Sequence, residues 1–313
     1  MGVNFEWLKG KISPLLDISE DLKSINPDVY YETGEWSVVK LIALAYFVDI
    51  YTTIISRQPF FDKMRYVELL SGAGLCKIKD TGDIIAGSAL IAAKMCRRQF
   101  DEYVFVESDA KRAEALENRM KSVASNVRVI RGDCNDVVRD IVVNFEDKDH
   151  YLAFVDCEGL DVYWESMNTL LSKPGDLLFN FQSQNVARVV GLANSGNQSA
   201  ANNLVRFYGD NRWQDLSGPD ELLEGYKDKI RDDTNRKQVI SLPVRGPGSY
   251  RYDLILATRR TRGGNPWIKP MEDLSESMSQ YGPDFVKMAL DILTGRHATL
   301  DSFFKTNEME DSL

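Results

Sequence analysis

The stretch Arg65-Tyr-Val-Glu-Leu-Leu-Ser-Gly-Ala-Gly74 restricts what this chain can fold into more than any other. From Tyr66 to Leu70 it is aromatic, β-branched or aliphatic, interrupted by one carboxylate, Glu68. A short apolar run closed by a glycine-rich turn reads as a buried strand of a parallel sheet. Gly72 and Gly74 lack the Cβ that would hold a ligand away from the backbone. Doubly wound α/β folds bind nucleotides at such a turn, after their first strand. A Gly-x-Gly alone is a weak signal. It gains weight when acidic residues close the strands that follow.

The segments that follow alternate. A helix restarts near Gly87-Ser88, after a polar loop over 77–85, and Tyr103-Val-Phe-Val-Glu107 is a second strand. A helix from Ala110 to Lys121 leads to a third strand, Val127 to Arg131, closed by Gly132-Asp133-Cys134-Asn135. The fourth strand is Tyr151 to Asp156; a helix with Trp164, Met167, Leu170 and Leu171 precedes the fifth, Leu177 to Phe181. This β/α alternation from 65 to 182 predicts an α/β fold: a doubly wound, mostly parallel seven-stranded sheet covered by helices. Gln238–Val244 and Tyr252–Thr258 are its last two strands, an antiparallel pair at the edge.

Around this core, residues 1–60 read as an N-terminal helical segment. Ser37 caps a helix that runs to about Ile55. Its run Leu41–Val48, between Lys40 and Asp49, falls short of the roughly 20 apolar residues a membrane span needs, so a buried core helix is expected. The core occupies 61–185 and 237–300, an inserted helical cap 186–236, and an acidic tail 301–313.

The net charge of −9 argues against a broad nucleic-acid surface, because phosphate affinity comes from clustered Lys and Arg. The local exception is Arg259, Arg260 and Arg262, followed by Trp267 and Lys269. These residues suit phosphates, with Trp267 as a stacking platform, and suit a solvated hairpin end equally. Four scattered cysteines with no Cys-x-x-Cys predict neither a zinc site nor a disulfide framework. With no secretory signal, a cytoplasmic location with reduced thiols is expected. His150 and His297 stand alone, and surface or capping roles are expected of them.

Four carboxylates close four successive strands: Glu68, Glu107, Asp133 and Asp156. Any one of them reads equally well as a helix cap or turn residue. Together, at the carboxyl edge of an open sheet, they mark a binding crevice. Lys77 stands where a dinucleotide fingerprint has its third glycine, which weakens a nicotinamide dehydrogenase reading.

An acid followed by Gly-x-Gly resembles the first motif of the class I S-adenosylmethionine-dependent methyltransferases. More closely, the chain resembles the three-Cys-motif partner proteins. The stretches that carry this are Tyr66-Val-Glu-Leu-Leu-Ser-Gly-Ala-Gly, Ala86-Gly-Ser-Ala-Leu, Val104-Phe-Val-Glu-Ser-Asp, Gly132-Asp-Cys-Asn, Ala153-Phe-Val-Asp-Cys-Glu-Gly-Leu, Leu178-Phe-Asn-Phe and Tyr252-Asp-Leu-Ile-Leu-Ala-Thr. The resemblance spans roughly residues 36 to 275.

It implies S-adenosylmethionine as cofactor, with Gly72 and Gly74 at its methionine part and Glu68, Ser71 and Ser108 also among the cofactor-binding residues. Glu107 would face the ribose hydroxyls, and Asp133 the adenine amine, with Cys134 or Asn135 supplying a backbone N–H. Asp156, Gly159 and Asn180 are the implied catalytic residues, Asp156 also touching the cofactor. The family's Asp-Pro-Phe-Gly is here Asp156-Cys157-Glu158-Gly159. The missing aromatic would have stacked on a flipped base. The implied activity is N-methylation of a nucleic acid or a protein. The alternative is a non-catalytic partner of an iron–sulfur protein bearing the three-Cys motif.

Overall fold

A computed structural model of the protein describes residues 4–246, 250–260 and 264–295. In chain order its elements are α1 Phe5–Leu22, β1 Tyr31–Thr33, α2 Ser37–Ile55, β2 Lys63–Leu69, β3 Leu75–Ile78, β4 Ile84–Ala86, α3 Ser88–Lys94 and β5 Glu102–Glu107. There follow α4 Ala110–Lys121, β6 Val127–Arg131, α5 Cys134–Val142, β7 Asp149–Val155, α6 Trp164–Leu170, β8 Gly175–Phe181, α7 Ser183–Asn194 and α8 Gln198–Tyr208. A short 3-10 turn, Arg212–Asp215, precedes α9 Gly218–Asp233, β9 Gln238–Arg245, β10 Arg251–Thr258, α10 Ile268–Tyr281 and α11 Pro283–Leu293.

Seven strands form one sheet in the order β6-β5-β2-β7-β8-β10-β9. β6, β5, β2, β7 and β8 are parallel, and β10 runs antiparallel to both neighbours. The chain leaves β2 toward β5 and β6, then returns to build β7 on the other side. The gap between β2 and β7 is therefore the topological switch point, where such sheets bind ligands. This is the Rossmann-like, doubly wound α/β fold that the alternation predicted.

Every residue of β7 and β8 is buried, so helices cover both faces. Successive side chains of a strand point to opposite faces. Tyr66, Phe105, Leu152, Phe154 and Leu254 accordingly join a core with α1, α2, α3, α10 and α11. Val67, Val104, Val155, Phe179 and Ile255 join a second core with α5 to α9. The helices of 186–236, expected as an inserted cap, lie in this second layer: the Tyr226 ring is 5.3 Å from those of Phe179 and Phe181.

Three features depart from the sequence reading. The stretch 77–85, expected as a polar loop, overlaps β3 and β4, which join β1 in a separate three-stranded sheet. Ser37 lies inside α2 rather than capping it: Trp36 is the N-cap, and the Ser37 hydroxyl bonds Thr33. His150 is buried, on the same face of β7 as Leu152 and Phe154. Its Nδ1 is 2.6 Å from the Tyr51 hydroxyl, and burial lowers its pKa to about 3, so the ring is neutral. Helix α2 is apolar over more of its length than Leu41–Val48, long enough to cross a membrane, yet 72% of its most apolar window is buried inside the protein. It is a core helix. His297, Arg262 and the tail 301–313 lie outside the described residues.

Candidate active site

The turn after β2 alternates left-handed and ordinary residues. Leu70, Gly72 and Gly74 have φ of 66°, 65° and 81°. Ser71 ties this turn to β5: its N–H donates to the Val106 carbonyl (2.8 Å) and its hydroxyl accepts from the Val106 N–H (3.2 Å). With its hydroxyl donating to the Glu68 carbonyl, Ser71 positions the turn. Gly87 leans against it from the start of α3, where an added Cβ would stand 2.8 Å from the Gly74 carbonyl oxygen.

Three clefts meet at Leu70 along the carboxyl ends of β2, β5, β6 and β7. The first, about 30 Å³, lies among Tyr31, Lys40, Gly72, Ser88 and Asp156. The second, about 640 Å³, is lined by Glu107, Ser108, Arg112, Glu158 and Gly159. The third, about 510 Å³, is lined by Ser108, Asp133, Cys134, Asn135 and Asp161. Leu70 lines all three, and Asp156 lines the first two.

Glu107, at the end of β5, is buried with both carboxylate oxygens in use. Oε2 accepts from the Gly72 N–H (2.8 Å); Oε1 accepts from the Asp109 N–H (2.9 Å) and from Arg112 (2.9 Å). The Arg112 side chain is 36% exposed and lies over the Tyr31 ring. Asp133 is exposed and caps α5 by accepting from the Asn135 N–H (2.8 Å). The Asn135 side chain bridges to the loop after β7, through the Asp161 carbonyl and the Tyr163 N–H. Cys134 is buried beside it, and burial pushes its thiol up to about 12, which leaves it a thiol at neutral pH.

Asp156 follows β7 directly. One oxygen pairs with Lys40 of α2; the other accepts from the Asn180 side-chain amide (2.7 Å). Asn180, on β8, is 2% exposed and reaches the site through Asp156. Glu158 accepts from the Tyr31 hydroxyl, which crosses the mouth of the second cleft. Gly159 donates its N–H to Asp161 (3.0 Å), and a Cβ there would stand 3.1 Å from Asn185. Gly159 therefore shapes the wall, and its N–H is already used.

Glu68 does not reach the groove. It shares the face of Tyr66, is fully buried, and accepts from the Ser88 and Tyr66 hydroxyls. Burial raises its pKa to about 8, so it is largely protonated at pH 7. The basic run is at the other end of the sheet. Because β10 is antiparallel, with Ala257 opposite Leu177, Arg259 and Arg260 emerge where the parallel strands begin. Trp267, expected as an exposed platform, is 6% exposed, and Lys269 pairs with Asp273.

Lys40, Tyr31 and Arg112 complete the site and were not anticipated. Only Lys40 left a signal: it is the one cation of a mostly apolar helix whose only other charged residue is Asp49.

No protein-family model matches the sequence, and no curated protein matches it. Solved structures do match. Protein LPL1258 of Legionella pneumophila is 14% identical over 76% of this chain and 92% of its own, with a TM-score of 0.50. An O-methyltransferase of Bacillus cereus in complex with SAH is 14% identical over 80% of this chain and 100% of its own, with a TM-score of 0.48. The likeness to LPL1258 shows a shared fold.

Proposed function

We propose that the chain is an S-adenosylmethionine-dependent methyltransferase acting on an amine nitrogen. The observation that carries this is the order of side chains along the groove at the switch point: Asp156, then Glu107, then Asp133, meeting at a glycine-rich turn. Asp133 is open to an adenine amine. Glu107 keeps a lone pair for a ribose hydroxyl on Oε2, and the half-exposed Arg112 is able to leave Oε1. The first cleft is too small for an amino-acid tail while Tyr31 stands over Gly72, so cofactor entry there requires the Tyr31 side chain to leave Glu158. The bound cofactor would supply an activated sulfonium methyl beside Asp156, where alignment and exclusion of water provide much of the rate.

Asp156, with Asn180 fixing its second oxygen, is placed to orient an amine and accept its proton. The second cleft is lined by five carboxylates, Glu32, Glu107, Asp156, Glu158 and Asp161, against Lys79 and Arg112. That field favours a protein or small-molecule amine over a phosphate-rich strand. A nucleic-acid acceptor loses its support, since Arg259 and Arg260 stand at the opposite edge.

A second reading, a non-catalytic partner of a three-Cys-motif iron–sulfur protein, is favoured by one observation: Asp156 is already paired with Lys40. Calorimetry with S-adenosylmethionine, followed by radiolabelled methyl transfer to cell protein, total RNA and DNA, separates the readings. Glu107→Gln should weaken cofactor binding about ten- to hundredfold, the range for hydrogen bonds to a charged group. Binding without transfer to any acceptor would favour the partner reading. No binding would end both forms of the cofactor assignment.

A further inference from the structure

At the amino-terminal edge of the parallel strands lies a second, more apolar space. It has a volume of about 650 Å³ and is lined by Phe60, Phe61, His150, Asp176, Arg259 and Trp267. Seven-residue strands place it roughly 20 Å from Asp156. Three side chains on its walls carry buried polar atoms with no hydrogen-bond partner in the protein: Asp176 Oδ2, Arg259 Nε and Trp267 Nε1. Native proteins leave few such atoms unpaired, and each one calls for an explanation. Here three surround one cavity.

The remaining wall is mixed, with Phe60, Phe61 and His150 beside Ile55, Pro174 and Pro266, and with Gln58, Asp147 and Thr258 as further polar residues. Phe60 is 59% exposed, an unusual place for a phenyl ring, and its ring lies 4.5 Å from that of Phe61. Phe61 in turn lies 4.4 Å from the His150 ring, which is neutral. The space thus offers flat apolar faces, a buried carboxylate (Asp176), an exposed one at the rim (Asp147) and two N–H donors. Asp176 is held by β8 and Trp267 by the start of α10, whereas Arg259, one residue past the end of β10, is half-buried.

We propose that this cavity is a second ligand site, taking a planar nitrogen heterocycle of the nucleobase type. A ring N–H or amino group would meet Asp176, and ring carbonyl or nitrogen acceptors would meet Arg259 and Trp267. Guanine matches the set most fully, with two donors on one edge and the O6 and N7 acceptors on another. A purely apolar ligand would leave all three polar atoms unpaired, and a phosphate would face Asp176 in an aromatic enclosure. Entry proceeds by rotation of Arg259, which uncovers the polar floor.

The test is calorimetric titration of the full chain with guanosine, with N1-methylguanosine, and with guanosine after saturation by S-adenosylhomocysteine. Guanosine should bind at one saturable site that S-adenosylhomocysteine does not block. N1-methylation and Asp176→Asn should each weaken binding about tenfold or more, the loss expected of a hydrogen bond to a charged group. Asp176→Asn keeps the shape of a buried carboxylate whose Oδ2 has no partner and whose group is otherwise bonded to Thr258, and thermal melts verify its fold; Trp267→Phe is a second variant expected to weaken binding. The proposal is overturned if wild type shows no saturable binding, if S-adenosylhomocysteine competes, or if both variants bind guanosine as wild type does.

Discussion

Lys40 of α2 and Asp156 after β7 form an ion pair across 116 residues of sequence, at the point where the groove meets the sheet. The side chains are 9% and 18% exposed, so the pair is shielded from solvent on most sides. It fixes one carboxylate oxygen while Asn180 fixes the other, leaving Asp156 oriented toward the first two clefts.

Asp156→Asn removes the charge with little change of shape. Methyl transfer should fall below detection while cofactor affinity stays within about 1 kcal/mol of wild type, because the carboxylate acts on the acceptor. Lys40 loses its counter-ion, so the variant should unfold about 1–3 kcal/mol more easily, between the limits for exposed and fully buried pairs. Transfer assays and denaturant melts check the two parts separately. Equal transfer by both proteins would remove Asp156 from the mechanism.

Tyr31 and Glu158 make a comparable contact on the outer side of the groove, where Tyr31 also covers Gly72. Burial, then the Glu158 carboxylate, pushes the Tyr31 phenol well above its usual range, so it remains a donor at any physiological pH. Tyr31→Phe removes the latch and keeps the ring. S-adenosylhomocysteine should then bind faster and up to about tenfold more tightly, the worth of one hydrogen bond that must break on entry. Stopped-flow binding decides this. A slower or weaker association would mean that the phenol holds the ligand instead of excluding it.

The parallel core was legible because strands buried on both faces read as continuous apolar runs, and β5 and β8 lie where those runs fall. The small sheet was not, since β1 and β4 have three residues each, too few to show a period. The strand-end rule located Glu107, Asp133 and Asp156 at the groove because each stands at or just past a strand's last residue. It misplaced Glu68, which precedes the end of β2 by one residue and follows the pleat onto the face of Tyr66. It also misplaced the arginines, because the reversed direction of β10 carries its end to the opposite edge. Lys40 and Tyr31 reach the site only through folding, and no spacing along the chain announces them.

The protonation of Glu68 sets a pH dependence. Its folded pKa, about 8, lies above the ordinary glutamate value of 4.5, so between these values the native state binds more protons than the unfolded one. Stability should therefore fall as pH rises from about 4.5 to 8 and level off above that, for this group. Glu68→Gln keeps a neutral acceptor for Ser88 and Tyr66. Its melting temperature should gain on wild type as the pH is raised through this window. A constant difference between the two proteins from pH 5 to 9 would show that Glu68 is ionised in the folded state throughout.

Leu70 offers the last test, because its backbone conformation and its side chain pull in opposite directions. Its φ of 66° costs an L-residue roughly 1–2 kcal/mol, a cost that glycine avoids. The side chain lines all three clefts, so truncation at this position joins them into one wider groove. Leu70→Ala keeps the strained backbone and loses the contacts, whereas Leu70→Gly loses the same contacts and the strain together. The glycine variant should be the more stable of the two by about 1 kcal/mol, the reverse of the order in a helix interior, where Gly is the poorer residue by a similar amount. Both should bind S-adenosylhomocysteine less tightly than wild type, since the side chain that divides the groove is gone. Denaturant melts of the pair read the backbone strain directly: if alanine is the more stable, Leu70 is not strained in solution.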